Sequence, residues 1–137
     1  ILEIMNHVGL DYAQVYDDMQ IDLHLKARMI LSIKPSTMQD LPPLSVLKQY
    51  AYVLIDAPHG HVSPGGTGQL AVWPIAQTLA SELRLILAGG LHPENVQAAI
   101  TTVRPFGLDV ASRIESSPGI KDHTLLTTFL RNAHGTL

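Results

Sequence analysis

Apolar and polar positions alternate in blocks along this chain, and the spacing of the apolar positions changes from block to block. Some blocks are short and almost continuously apolar, such as "AYVLIDA", which is the pattern of strands buried on both faces. Others carry an apolar residue every three or four positions, as on one face of an amphipathic helix. The apolar blocks predict strands at 12–16, 29–34, 51–56, 85–88 and 107–110.

The remaining periodic blocks predict helices that alternate with these strands. Parallel strands that are buried on both faces need such crossovers between neighbours. We therefore expect an α/β fold, either a doubly wound open sheet or part of a (β/α)8 barrel, and in both the ligand binds at the carboxyl ends of the strands. The helices are expected at 1–8, 21–28, 44–50, 73–81, 93–102 and 121–132.

The composition predicts a single globular domain over residues 1–137, with 46% hydrophobic and 15% charged residues. A net charge of −3 argues against nucleic acid as a partner, because no basic face is present to neutralise many phosphates. The absence of Cys excludes disulfides, thiolate zinc sites and cysteine catalysis within these residues. No apolar run approaches the roughly 20 residues of a membrane span and no secretory leader is visible, so we expect a cytoplasmic protein without a membrane partner.

Two adjacent glycines, Gly89 and Gly90, follow the fourth predicted strand. Without a Cβ, backbone N–H groups there can approach a ligand closely, and such groups can hold a phosphate. A plain turn is the alternative, and for the glycine pair alone it is the better interpretation. The next strand also ends in small residues, Ala111 and Ser112, and the loops after the last two strands form the usual phosphate site of barrel enzymes.

Asp56, at the end of the third predicted strand, is the main candidate for acid–base chemistry. An acid that donates at neutral pH must hold its proton, which desolvation at the end of an apolar strand favours. A helix or loop cap is the alternative role for Asp56. Lys34 also ends a strand, and it either faces the ligand or reaches solvent. His59 and His61 form an H-x-H pair without a third metal ligand at a suitable spacing, so a solvated loop is the preferred interpretation and no metal is expected.

Four segments resemble phosphoribosylanthranilate isomerase, a (β/α)8-barrel enzyme of tryptophan biosynthesis: "GLDYAQVYDD", "YVLIDAPHG" with "PGGTGQLAVW", "LILAGGLHPENVQAAI" and "FGLDVASRIESSPGIKDH". The resemblance covers essentially the whole chain, in the order of the family. It implies an incomplete TIM barrel that holds the last five strands, with the first three βα units missing. The first predicted helix agrees with this, because it starts at Ile1 without a capping residue.

The resemblance also implies a reaction, the Amadori rearrangement of N-(5-phosphoribosyl)anthranilate to the 1-deoxyribulose 5-phosphate. An acid protonates the ring oxygen to open the furanose, and a base removes the proton from the adjacent carbon. The acid of the family matches Asp56, the substrate is a phosphorylated small molecule, and no cofactor is implied. The base of the family is a cysteine on the first strand, so we expect these 137 residues alone to be inactive.

Further site residues follow from the resemblance. Phosphate contacts are expected from Gly89, Gly90, Ser112 and Arg113, and substrate contacts from Asp109, Gly65, Gly66, Thr67 and Gly68. Arg113 stands where the family has a glycine, and it either adds a charged phosphate contact or obstructs the site. Asp109 either touches the anthranilate side of the substrate or orients neighbouring groups.

Other family residues are changed in this chain. Tyr16 and Asp17 replace a His-Gly pair, and "QLAVW" stands where the family has K-T-F-D-W. The chain is therefore expected to be an isomerase, with a diverged, non-catalytic phosphosugar-binding or structural remnant as the alternative. Self-association is expected if the chain exists alone, because strand edges would be exposed. A fusion to a second enzyme is left open.

Overall fold

The computed structural model describes residues 1–56 and 72–135. These residues form a five-stranded parallel sheet with the strand order β1-β2-β3-β4-β5. The strands are β1 Ala13–Tyr16, β2 Met29–Ile33, β3 Tyr52–Ile55, β4 Leu85–Leu87 and β5 Gly107–Leu108. All five lie where the apolar blocks predict them, and each is one or two residues shorter than predicted.

The sequential strand order decides between the two expected architectures. A doubly wound sheet reverses its strand order at a switch point, whereas a barrel adds each strand beside the one before it. The described sheet follows the second pattern, because each strand pairs in parallel with its predecessor. The barrel type of α/β topology is therefore confirmed, while closure by three further βα units stays a prediction.

The described ranges contain six α-helices, and each lies within or close to a predicted one. They are α1 Leu2–Val8, α2 Leu23–Lys26, α3 Leu44–Leu47, α4 Trp73–Ala80, α5 Val96–Val103 and α6 His123–His134. The prediction starts the fifth helix too early, since residues 93–95 form a turn and the helix begins only after Asn95. Pro93 therefore precedes the helix instead of opening it.

A short antiparallel hairpin before α6 has no counterpart in the prediction. It consists of β6 Glu115–Ser117 and β7 Ile120–Lys121, and it follows a 3-10 helix at Ser112–Ile114. The expectation that Lys121 opens the last helix is wrong, because Lys121 pairs with Glu115 in this hairpin. Such a two-residue strand is too short to produce a detectable apolar period.

The buried side chains form a cluster that joins the sheet to α4, α5 and α6. Four of the five residues of β2 and three of the four residues of β3 are buried, so both faces of these strands are covered. This explains why their sequences are almost continuously apolar. None of the helices in the described ranges has the length and the apolar character needed to cross a bilayer.

Candidate active site

The carboxyl ends of β2, β3, β4 and β5 lie side by side in one register. Their last paired residues are Ile33, Ile55, Leu87 and Leu108. The residue directly after each of these strands also lies at this edge. These four residues are Lys34, Asp56, Ala88 and Asp109. With about 4.8 Å between neighbouring strands, Asp56 and Asp109 are roughly 10 Å apart across Ala88. The sequence candidates at strand ends therefore lie along one edge of the sheet.

This row is held by backbone hydrogen bonds that extend the strand pairing. The N–H of Asp56 donates to Ile33 O at 3.1 Å, and the N–H of Asp109 donates to Leu87 O at 2.9 Å. Ala88 N–H donates in the same way to Ile55 O at 2.8 Å. The positions of both aspartates thus depend on the sheet and not on a loop.

Asp56 forms an ion pair with Lys34. The Nζ atom of Lys34 lies 2.8 Å from Asp56 Oδ2, and the two side chains are 50% and 24% exposed, respectively. A hydrogen bond to this carboxylate, together with its charge, raises the pKa of Lys34. Within the described residues the partner of Asp56 is therefore a cation, whereas the apolar strand before it predicts desolvation. Lys34 was expected either to face the ligand or to reach solvent, and neither expectation includes this contact with Asp56.

Gly89 and Gly90 follow β4, and both have left-handed backbone conformations, with φ of 76° and 66°. Only glycine adopts this region at little cost. Among the described residues, no group accepts a hydrogen bond from the N–H of Gly89, Gly90 or Leu91. Three successive backbone donors at the carboxyl end of β4 are therefore without an acceptor within residues 1–56 and 72–135.

The turn that follows the two glycines is tied to the start of α5 by a buried asparagine. Asn95 is 4% exposed, its Nδ2 donates to Gly90 O at 3.0 Å, and its Oδ1 accepts from His92 N–H at 2.8 Å. The apolar pattern and the family resemblance predict no role for Asn95. A polar side chain directly before a helix was the available signal, because asparagine is favoured at such positions.

The second expected half of the phosphate site lies after β5. Ser112 and Arg113 are exposed and belong to the 3-10 helix before the hairpin. The backbone next to them is anchored by Lys121, whose Nζ donates to Ala111 O at 2.9 Å and pairs with Glu115 Oε1 at 2.7 Å. Since β4 and β5 are paired neighbours, this segment and the two glycines leave the sheet at the same edge.

Tyr16 and Asp17, which replace the His-Gly pair of the family, are exposed at the end of β1. Tyr16 pairs with Ser32 of β2, two residues before Lys34. The carboxyl edge therefore also carries a tyrosine on the side of β1, two strands away from Asp56.

Some predicted residues lie outside the described ranges. These are Gly65, Gly66, Thr67 and Gly68 of the expected substrate loop, and the pair His59 and His61. Within residues 1–56 and 72–135, no group of three His, Cys, Asp or Glu side chains is arranged to hold a metal ion.

Comparisons with known proteins show the family of this chain. Residues 1–132 match the model of the family described as N-(5'-phosphoribosyl)anthranilate (PRA) isomerase. The N-(5'-phosphoribosyl)anthranilate isomerase of Thermotoga neapolitana is 35% identical over 140 residues, which cover 98% of this chain and 67% of the relative. The enzyme of the same name from Pelobacter propionicus is 37% identical over 132 residues, covering 93% of this chain and 61% of the relative. This chain thus spans about two thirds of the length of these relatives.

Solved structures show the same likeness in three dimensions. The crystal structure of phosphoribosyl anthranilate isomerase from Thermotoga maritima is similar with a TM-score of 0.78 and 33% identity, over 98% of this chain and 67% of that one. A second crystal structure, of the isomerase in complex with reduced 1-(o-carboxyphenylamino)-1-deoxyribulose 5-phosphate, gives a TM-score of 0.76 and 31% identity, over 98% and 65% of the two chains. The five-stranded sheet described above therefore matches structures of the barrel type.

Proposed function

The chain belongs to the N-(5'-phosphoribosyl)anthranilate isomerase family, and we propose that it serves the isomerisation of N-(5'-phosphoribosyl)anthranilate in tryptophan biosynthesis. The proposal is based on one observation: at the carboxyl edge of the sheet, Asp56 after β3 lies next to the two glycines after β4. The proposal is supported by the neighbourhood, on one edge, of an acid–base candidate and of backbone N–H groups that have no acceptor among the described residues. The complex of a relative with reduced 1-(o-carboxyphenylamino)-1-deoxyribulose 5-phosphate supports a phosphosugar as the class of ligand.

In the proposed reaction, Asp56 donates a proton to the ring oxygen of the ribose. The bond between this oxygen and the anomeric carbon then breaks, and the nitrogen of anthranilate supplies the electron pair that forms the C=N bond. A base removes the proton from the adjacent carbon, and the resulting enol becomes the ketose. Because Lys34 pairs with Asp56 through Oδ2, Asp56 has to take up a proton, and so give up this ion pair, before it can act as the acid.

The phosphate is proposed to bind at the opposite end of the substrate, beyond β4 and β5. Backbone N–H groups of Gly89 and Gly90 and the hydroxyl of Ser112 act as neutral donors, and the guanidinium of Arg113 adds a charged contact. Asp109 follows β5, the strand next to β4, so it lies on the phosphate side of Asp56 along the sheet edge. The residues Gly65, Gly66, Thr67 and Gly68 complete the proposal as substrate contacts, on the strength of the family resemblance alone.

Arg113 offers a direct test of the phosphate end. If its guanidinium binds the phosphate, the variant Arg113→Gly is expected to bind inorganic phosphate more weakly, by about tenfold for the loss of one charged hydrogen bond. Calorimetry or an NMR titration measures this affinity. Tighter binding in the variant would show that the side chain obstructs the site.

The proton acceptor of the second step is proposed to lie outside these 137 residues. The family resemblance implies a cysteine for this step, and the chain has none. No metal or organic cofactor is part of the proposed scheme. The chain alone is then expected to bind the phosphosugar but not to turn it over.

The test of the proposed function combines binding and turnover. The chain is titrated with reduced 1-(o-carboxyphenylamino)-1-deoxyribulose 5-phosphate, and the carboxyl carbon signals of its aspartates are followed by NMR. We expect the signal of Asp56 to move in proportion to saturation, while the signal of Asp11, which lies at the opposite end of β1, stays in place. Absence of binding would contradict the isomerase assignment and favour a structural remnant. Turnover of N-(5'-phosphoribosyl)anthranilate at the rate of the relatives would contradict the external proton acceptor.

A further inference from the structure

The side chain of Asn95 joins the two ends of the turn that follows β4. Its Nδ2 donates to the carbonyl oxygen of Gly90 at 3.0 Å, and its Oδ1 accepts from the N–H of His92 at 2.8 Å. Both atoms are engaged in a residue that is only 4% exposed. A buried amide with both of its ends bonded is costly to rotate or remove, because each lost contact leaves a buried polar atom without a partner.

The contact with Gly90 fixes the direction of a neighbouring N–H group. The carbonyl of Gly90 and the N–H of Leu91 belong to the same peptide unit, which is planar and trans, so the two groups point in opposite directions. When Asn95 holds the carbonyl on the helix side of the turn, the N–H of Leu91 must point away from the helix start. This N–H has no acceptor among the described residues.

Two consecutive glycines do little to fix the orientation of their own backbone. Gly89 and Gly90 both have positive φ, and glycine moves between several backbone regions more readily than any other residue. The hydrogen bond from the buried Asn95 side chain to Gly90 O restricts this freedom. It does so where the N–H groups of Gly89, Gly90 and Leu91 follow one another. Donors that are already oriented bind an anion without a further ordering cost.

We propose that Asn95 is a positioning residue for phosphate recognition. It does not touch the phosphate; it holds the Gly90–Leu91 peptide so that the N–H groups of Gly89, Gly90 and Leu91 form one donor set. This inference rests on the proposed function, which places the phosphate at this turn. The alternative is that Asn95 contributes only to stability, and the experiment below separates the two.

The experiment measures inorganic phosphate binding to the 137-residue chain by amide NMR. In the wild type, the signals of Gly89, Gly90 and Leu91 are expected to shift together and to saturate. In Asn95→Ala, the affinity is expected to fall about tenfold, which corresponds to the loss of one well-oriented hydrogen bond to a charged group. The three amide signals should then no longer shift as a set.

A matched control separates positioning from stability. Ala99→Gly weakens the same helix at a buried position without touching the turn. Its phosphate affinity is expected to stay within about twofold of the wild type. Equal affinities of Asn95→Ala and Ala99→Gly would overturn the positioning role. If Asn95→Ala fails to fold, Asn95→Ser takes its place with the same expected result, since one hydroxyl cannot replace two separate bonding atoms.

The wild-type titration distinguishes failure of the inference from failure of the proposed function. If the wild type binds no phosphate, or if other amides shift instead, the proposed phosphate site is wrong and the inference is overturned with it. If the wild type binds at the three amides and Asn95→Ala binds equally well, only the inference is wrong.

Discussion

Among single residues, Gly90 is one of two adjacent glycines at the candidate site with a left-handed backbone conformation. Its φ of 66° is a left-handed conformation that costs an L-residue with a side chain about 1–2 kcal/mol. The variant Gly90→Ala is therefore expected to lower the free energy of unfolding by about this amount, measured by urea denaturation. Gly107→Ala is the control, because its φ is not positive and an added Cβ would meet Ile86 Cγ1 at an ordinary 3.7 Å. Equal losses in both variants would contradict the argument.

The ion pair between Lys34 and Asp56 predicts how stability depends on pH. Its contacts raise the pKa of Lys34 in the folded protein above the ordinary value of 10.5. A raised lysine pKa stabilises the folded state fully below the unfolded value, and this stabilisation is lost as the pH rises through the folded value. The difference in unfolding free energy between the wild type and Lys34→Met should therefore be constant near neutral pH and shrink above 10.5.

The control for this prediction is a lysine with a neutral partner. Lys26 donates to Gln49 Oε1 at 2.9 Å, so Lys26→Met removes a lysine without breaking an ion pair to a carboxylate. A stability difference for Lys34→Met that stays flat through the alkaline range would show that the pair contributes nothing in solution.

At the scale of elements, the start of α6 depends on one carboxylate. Asp122 Oδ1 accepts hydrogen bonds from the N–H groups of Thr124 at 2.8 Å and Leu125 at 3.0 Å. Removal of such a cap usually costs about 1 kcal/mol. We expect Asp122→Ala to lower the unfolding free energy by about that amount, while Asp122→Asn, which keeps an acceptor oxygen, retains most of it. Thermal unfolding followed by circular dichroism measures both, and equal losses would contradict the cap.

The short helices show that the apolar period does not predict where a helix begins and ends. The apolar period predicts α2 over 21–28, yet the helix covers only Leu23–Lys26. The start of α5 is displaced in the same way, because Asn95 holds the preceding residues in a turn. Local periodicity identifies which face of a segment is buried, whereas hydrogen bonds to other segments decide where the segment begins and ends.

At the scale of the whole molecule, one buried cluster connects the sheet with the helices that flank it. Trp73, the single tryptophan of the chain, is fully buried in this cluster. Its fluorescence should therefore report the loss of the core, while circular dichroism reports the loss of secondary structure. We expect both probes to give the same urea midpoint, as in a cooperative transition. A tryptophan transition at lower urea would show that α4 detaches before the sheet unfolds.

The sequence by itself determined the strands, their order with the helices, and the positions of Asp56, Gly89 and Gly90 at strand ends. These features are local: strands buried on both faces need continuous apolar runs, and a positive φ needs glycine. The family was also readable from segments that are continuous in the chain. All of this depends on neighbours in sequence, so no tertiary contact was needed to predict it.

Only the tertiary structure decided the partners of these residues. The pairing of Asp56 with Lys34 depends on the register of β2 against β3, and the role of Asn95 depends on how a turn folds back on Gly90. The hairpin that carries Lys121 likewise forms through contacts with Ala111 and Glu115. Each of these is a hydrogen bond or ion pair of about 3 Å, and the pattern of apolar positions is too coarse to specify such distances. The sequence therefore located the candidate site at one edge of the sheet, and packing in three dimensions arranged the groups within it.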